Sequence, residues 1–157
     1  MSRISPFLWF DDQAEEAANL YVSVFPNSRI TGASRYGEVG PGKPGSVMTI
    51  SFEIDGLPVT ALNGGPIFRF NEAFSMSVDC ADQAEVDRYW DALIEGGGQS
   101  SQCGWLKDRF GLSWQIVPRI LPRLLSDPDR AKAQRVMTAM LKMSRLDVAA
   151  LEAAAEA

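Results

Sequence analysis

One fragment of the chain occurs twice. DDQAEEA stands at residues 11–17 and ADQAEVD at 81–87, and each copy sits in the same order of elements, which constrains the architecture more than any single motif could. Ahead of the first copy, ISPFLWF reads as a buried strand. The copy itself opens a helix, DDQAEEAANLYVSVF, with Asp11 or Asp12 as its N-cap, Glu15 and Glu16 at its positive end, and Ala14, Ala17, Ala18, Tyr21, Val22 and Phe25 at helical spacing. Pro26-Asn27 ends it. SRITGASRYGEV then reads as a strand, and after the loop GPGKPG come VMTISFEID and LPVTALNG, joined at Asp55-Gly56, a dipeptide suited to a tight hairpin.

Past the aromatic linker GPIFRFNEA the order returns. FSMSVDC is a strand, and DQAEVDRYWDALIEG is a helix. Asp82 caps it with Glu85 three residues on, Val86, Tyr89, Trp90, Leu93 and Ile94 form its core stripe, and Gly96 suits a left-handed C-cap. A short strand near 99–102 and a hairpin, CGWLKD and LSWQIVP around Arg109, Phe110 and Gly111, complete it. The expectation is an α+β fold of two βαβββ repeats, 1–71 and 72–118. A C-terminal helical extension, 119–157, belongs to the same structural domain. In that extension Asp127-Pro128 is expected to start a helix bearing the apolar stripe Val136, Met137, Met140 and Leu141.

The 157 residues include no histidine. His is the usual general base near neutral pH and the commonest transition-metal ligand, so Ser-His-Asp and Cys-His arrangements are excluded and a zinc or iron site is disfavoured. The formal charge of −5 argues against nucleic acid as a partner. The longest apolar runs are too short to span a bilayer, and the first residues lack a secretory pattern. The expected setting is the cytoplasm, with no membrane partner and with Cys80 and Cys103 as reduced thiols.

FLWFDDQAEEAANLYVSVFPNSRI, GSVMTISFEIDGLPVTALNGGPIFRFNEAFSMSV and CGWLKDRFGLSWQIVP with the methionine-bearing helix beyond resemble the PhnB-like family of the vicinal oxygen chelate (glyoxalase/bleomycin-resistance/dioxygenase) superfamily. The resemblance runs from about Ile4 to Leu151. It implies that the repeats form a cupped, mostly antiparallel sheet with a ligand in the concavity, and that the chain is a homodimer. Some members carry the label 3-demethylubiquinone-9 3-methyltransferase. Metal-dependent relatives carry His, Glu or Gln at four places that fall here near Pro6 or Phe7, Ala61, Phe74 or Ser75, and Gln115. Only Gln115 is a ligand type, so no metal and no other cofactor is expected.

Methyl transfer with S-adenosylmethionine needs a glycine-rich turn from a strand into a helix, and none of GEVGPGKPG, Gly64-Gly65 or Gly96-Gly97-Gly98 has that context. Lys107, Asp108 and Arg109 could recognise an anion or organise proton transfer, but the favoured reading is a solvated hairpin tip, with Asp108 shaping the turn and Gly111 at positive φ. Glu15, Glu16, Glu85 and Asp87 read as outer helix faces. Along LSWQIVP, alternation places Ser113, Gln115 and Val117 on one face, and Trp114 with the core on the other. Around the concavity stand Trp9, Asn63, Ser75, Trp105 and Gln115, with Phe68 and Phe70 from the linker. That aromatic lining with a few polar tips suits a small organic ligand. The expectation leans toward a binding protein over an enzyme. The enzyme readings are methyl transfer, as the label says, or the superfamily's metal-dependent lyase, isomerase or dioxygenase chemistry.

Overall fold

The computed structural model describes residues 2–157, which divide into two compact units that meet between Phe70 and Asn71. In the first unit, β1 (Phe7–Phe10), α1 (Ala14–Val24), β2 (Arg29–Arg35), β3 (Val47–Ile54) and β4 (Leu57–Asn63) form a four-stranded sheet in the order β1-β4-β3-β2. β1 runs parallel to β4, and the other pairs are antiparallel. Asp55 and Gly56, at φ 47° and 80°, make the two-residue turn between β3 and β4, where Ile54 pairs with Leu57. Positive φ at both positions matches the right-handed twist of the strands, which is why Asp-Gly stands here.

The second unit repeats the plan with β5 (Ser75–Cys80), α2 (Gln83–Ile94), β6 (Gln99–Ser100), β7 (Trp105–Lys107) and β8 (Ser113–Pro118) in the order β5-β8-β7-β6. β5 lies parallel to β8, as β1 does to β4. The two βαβββ repeats and the α+β class are therefore as the sequence implies.

Alternation along the strands gives each sheet two faces. In the first unit Leu8, Phe10, Ile50, Phe52, Val59 and Ala61 are buried on the side where α1 packs, through Ala14, Ala17, Ala18 and Tyr21. Phe7, Trp9, Thr49, Ser51, Thr60 and Leu62 alternate to the other side. In the second unit Leu106, Trp114 and Ile116 meet α2, whose Val86, Tyr89, Trp90 and Leu93 are buried. Ser75, Ser77, Trp105, Lys107, Ser113 and Gln115 take the opposite face.

The second helix starts as its sequence indicates, with the Asp82 carboxylate accepting from Glu85 N at 3.0 Å, and Gly96 after its end at φ 81°. The first does not. Neither Asp11 nor Asp12 is its N-cap; α1 begins at Ala14 after Gln13, and Asn63 Oδ1 accepts from Ala14 N at 2.8 Å. A side chain at the end of β4 thus satisfies a helix-end donor that would otherwise need a neighbour in sequence.

The C-terminal part of the second unit holds α3 (Ile120–Leu125), α4 (Arg130–Met140) and α5 (Val148–Glu156). Leu121, Val136, Leu146, Leu151 and Ala155 form a small core there, with Met140 and Met143 against it. Asp129 replaces Asp127 as the cap of α4, accepting from Ala131 N and Lys132 N. The expected stripe is also only half right: Val136 is buried and Met140 packs, but Met137 and Leu141 are exposed. The chain after α4 returns to α2, where Arg145 reaches Asp87 at 3.2 Å and Asp91 at 2.5 Å, and Gln83 accepts from Val148 N. Among the described residues no helix is long and apolar enough to cross a membrane.

Candidate functional site

The residues expected around one concavity fall on different faces. Three of them meet in the second unit. Ser75 and Gln115 lie on neighbouring parallel strands two residues apart in register, and Gln115 Nε2 donates to Ser75 Oγ at 3.0 Å. Trp105 is the cross-strand partner of Gln115 on β7, so its half-buried ring shares their face.

In the first unit Trp9 and Phe68 form a T-shaped pair with centroids 5.0 Å apart, and Trp9 Nε1 donates to Gly65 O at 2.9 Å. Gly64 lies so close beneath that indole that a Cβ there would stand 2.5 Å from the ring. Asn63 and Phe70 differ from the expectation. Asn63 pairs with Phe10 rather than Trp9, which puts it on the α1 side. There it caps α1, its Nδ2 donates to Val47 O at 3.2 Å, and its carbonyl accepts from Tyr36 Oη. Phe70 packs edge-on against the buried Phe10, with centroids 5.1 Å apart.

The charged hairpin tip also departs from the sequence reading. Asp108 does shape the turn, and Gly111 has φ 91°, but Asp108 is only 3% exposed. Its Oδ1 accepts from Phe110 N at 2.9 Å and Leu112 N at 3.1 Å, and its Oδ2 from Trp114 Nε1 at 2.9 Å. A buried carboxylate is tolerated when donors replace its water, and here the indole of the core tryptophan is one of them. No period-two or helical pattern carries that pairing, which spans six residues across a turn.

Two further groups on the second unit's face stand outside the ligand set expected from the sequence. The Ser113 hydroxyl is buried and has no hydrogen-bond partner. Lys107, its cross-strand partner, pairs with Glu72, and this hydrogen bond holds the Glu72 carboxyl below the ordinary range. Alternation along β8 does put Ser113 on the face of Gln115, but nothing in the sequence shows that its hydroxyl lacks a partner.

Both cysteines are free. Cys80 is fully buried, and desolvation, reinforced by the nearby Glu85 and Asp79 charges, pushes its thiol up to about 12, so it is no nucleophile near neutral pH.

The four places to which the resemblance assigns metal ligands, near Pro6 or Phe7, Ala61, Phe74 or Ser75, and Gln115, offer at most a hydroxyl and an amide as donors. That donor set does not fit a catalytic divalent ion. Among the described residues no three His, Cys, Asp or Glu side chains converge on one point. The glycine-rich segments also have local explanations. The loop after β2 curls over Tyr36, where a Cβ on Gly42 would overlap the ring, and Gly98 sits against the carbonyls of Ile94 and Lys107.

The profile of the 3-demethylubiquinone-9 3-methyltransferase family matches residues 2–117. It ends in β8, short of the C-terminal helices that the sequence resemblance took in. No protein of curated function matches the chain. Among solved structures, a Bacillus cereus PhnB protein bearing the same methyltransferase label is 34% identical, with TM-score 0.68 over 74% of this chain and 99% of that one. A Pseudomonas aeruginosa protein, 20% identical over 75% of this chain and 98% of its own, has TM-score 0.62. A variant of the fosfomycin resistance protein FosX of Listeria monocytogenes, solved with Mn(II) and a dihydroxypropylphosphonic acid, is 16% identical, with TM-score 0.51 over 73% of this chain and 90% of that one. The likeness to the last two concerns the fold alone. With the profile covering most of both repeats, the chain belongs to the 3-demethylubiquinone-9 3-methyltransferase family, as a PhnB-like protein with the vicinal oxygen chelate fold.

Proposed function

We propose that the chain binds a small organic molecule without a metal, on the face of the second sheet opposite α2, through Ser75, Trp105 and Gln115. The observation that carries this reading is the Ser75–Gln115 hydrogen bond beside Trp105. It fixes the Gln115 amide with one of its four hydrogen-bonding positions and leaves the rest of a polar group beside an aromatic wall. Trp9 and Phe68 offer a second aromatic surface on the first unit. Asn63 and Phe70, engaged with α1 and Phe10, leave the ligand set.

The test is a thermal-shift screen of the full chain, prepared with and without chelator, against metabolites that include S-adenosylmethionine and quinone analogues. A hit that survives chelation and is lost in Gln115→Ala supports binding without metal. Stoichiometric zinc, manganese or iron in the unchelated protein overturns it, and a hit from S-adenosylmethionine favours the methyl transfer of the family label. The chain also pairs with a second copy in this reading. Support comes from the exposed Phe7, Ile67 and Phe68 beside Trp9, since such apolar patches mark interaction surfaces. Light scattering should give twice the 17.2 kDa chain mass, and a monomer at micromolar concentration refutes it.

A further inference from the structure

On that face, β6, β7 and β8 border a partly open cavity of about 130 Å³ lined by Glu72, Gln99, Ser101, Trp105, Lys107 and Ser113, among others. This is room for about four water-sized groups. Two features of its wall are unusual together. The Ser113 hydroxyl is buried without a partner, a state that costs free energy unless a bound group supplies the missing hydrogen bond. The cation nearest to it along the strands, Lys107, stands opposite it in the antiparallel register, so their Cβ atoms are about 5 Å apart. The amine's carboxylate partner, Glu72, comes from the segment before β5 and is mostly exposed, free to swing into water.

We infer that this cavity is a binding site for a small carboxylate of two or three carbons bearing a second oxygen, such as a 2-hydroxy acid. The ligand's carboxylate replaces that of Glu72 on Lys107, and the Ser113 hydroxyl, sealed within the wall in the free protein, rotates toward the cavity to donate to its oxygens. Trp105 supplies the apolar wall, and Gln99 and Ser101, which also line the cavity, are the partners for the second oxygen. Glu72 occupies the amine in the free protein as an internal competitor, which keeps the ammonium paired when no ligand is present. The inference rests on the reading that the second unit's face binds a small molecule, and it names the ligand class.

The experiment is a titration of the full-length, ¹⁵N-labelled protein with lactate, with lactamide as the neutral isostere, followed through backbone amides and the four tryptophan indoles. Lactate should shift the Trp105 indole and the amides of Lys107 and Ser113 saturably, and lactamide should not. Lys107→Met should weaken binding about tenfold, the loss of one charge-assisted contact, and Ser113→Ala severalfold. Glu72→Gln should tighten it severalfold, because the competing carboxylate is gone, an effect that a merely structural ion pair would not produce. Equal shifts from lactamide, no shift from lactate, or an affinity unchanged in Glu72→Gln overturns the inference. If neutral metabolites still bind through Gln115, only this inference fails. If nothing binds that face, the reading beneath it fails too.

Discussion

Replacing Asp108 by alanine should destabilise the protein far more than its place at a hairpin tip suggests. The carboxylate holds three donors, and two of them, Leu112 N and Trp114 Nε1, belong to residues that are 1% exposed. Each buried donor left without an acceptor costs about 1–3 kcal/mol, whereas the half-buried Phe110 N can turn to water. Removing the carboxylate relieves its own desolvation, so the net loss should be about 3–4 kcal/mol, a large share of a typical domain's stability. Asparagine keeps one oxygen for the backbone donors but turns an N–H toward Trp114 Nε1 or toward a backbone N–H, and should lose about half as much. Urea unfolding, followed by tryptophan fluorescence and far-ultraviolet circular dichroism, measures both. With a slope of about 2 kcal/mol/M, the alanine midpoint should fall by roughly 1.5–2 M. A solvated tip residue would change stability by at most about 0.5 kcal/mol. A midpoint shift that small, or an asparagine variant no better than alanine, would refute the reasoning.

Two further perturbations separate structural from binding residues. Asn63→Ala should cost about 1–2 kcal/mol, the loss of a helix cap and of the bond to Val47 O, while leaving ligand binding by the second unit intact; unchanged thermal stability would contradict the capping assignment. With Cys80 raised from 9.0 to about 12, the folded state holds a proton that the unfolded state releases, so stability is lost as pH rises from about 9 to about 12, by about 1.4 kcal/mol per pH unit. Unfolding free energies of wild type and Cys80→Ala should therefore diverge across that window, and iodoacetamide at pH 8 should spare Cys80 until the chain unfolds. Parallel curves, or prompt labelling of Cys80 in the native protein, would show that its burial is not maintained.

The elements were legible because each is written in local periodicity. ISPFLWF, LSWQIVP and the two helices carry their core residues at spacings that survive into the fold, and Asp55-Gly56 and Gly96 mark turns by backbone conformation alone. What was not legible depends on partners distant in sequence. Asn63 reads as a polar residue at the end of a strand and becomes a ligand candidate until the register shows it opposite Phe10, beside the start of a helix 49 residues earlier. Asp108 reads as solvated because its charge is visible in the sequence and its three donors are not. Phe68 and Phe70 look equivalent in GPIFRFNEA, yet one packs on Trp9 and the other on Phe10, residues on opposite faces of β1.

The repeat itself explains why near-identical fragments behave differently. Asn63 closes β4 against Phe10, and the equivalent place on β8, against Cys80, is Pro118. A proline side chain cannot accept a hydrogen bond. In the second unit the helix must therefore be capped from its own sequence, and Asp82 does it. In the first, the cap comes from Asn63, and DDQAEEA is released from that duty. The same comparison separates the two sheet faces opposite the helices. Phe7 and Trp9 on β1 correspond by register to Ser77 and Asp79 on β5, and Thr60 and Leu62 on β4 to Gln115 and Val117 on β8. One scaffold thus carries Phe7, Trp9 and Leu62 among the hydroxyls of Thr49, Ser51 and Thr60 in the first unit, and hydroxyl, amide, amine and carboxylate groups beside a single aromatic ring, Trp105, in the second. A ligand recognised by hydrogen bonds belongs to the second, because an unmet polar group there costs free energy that only a polar partner can return.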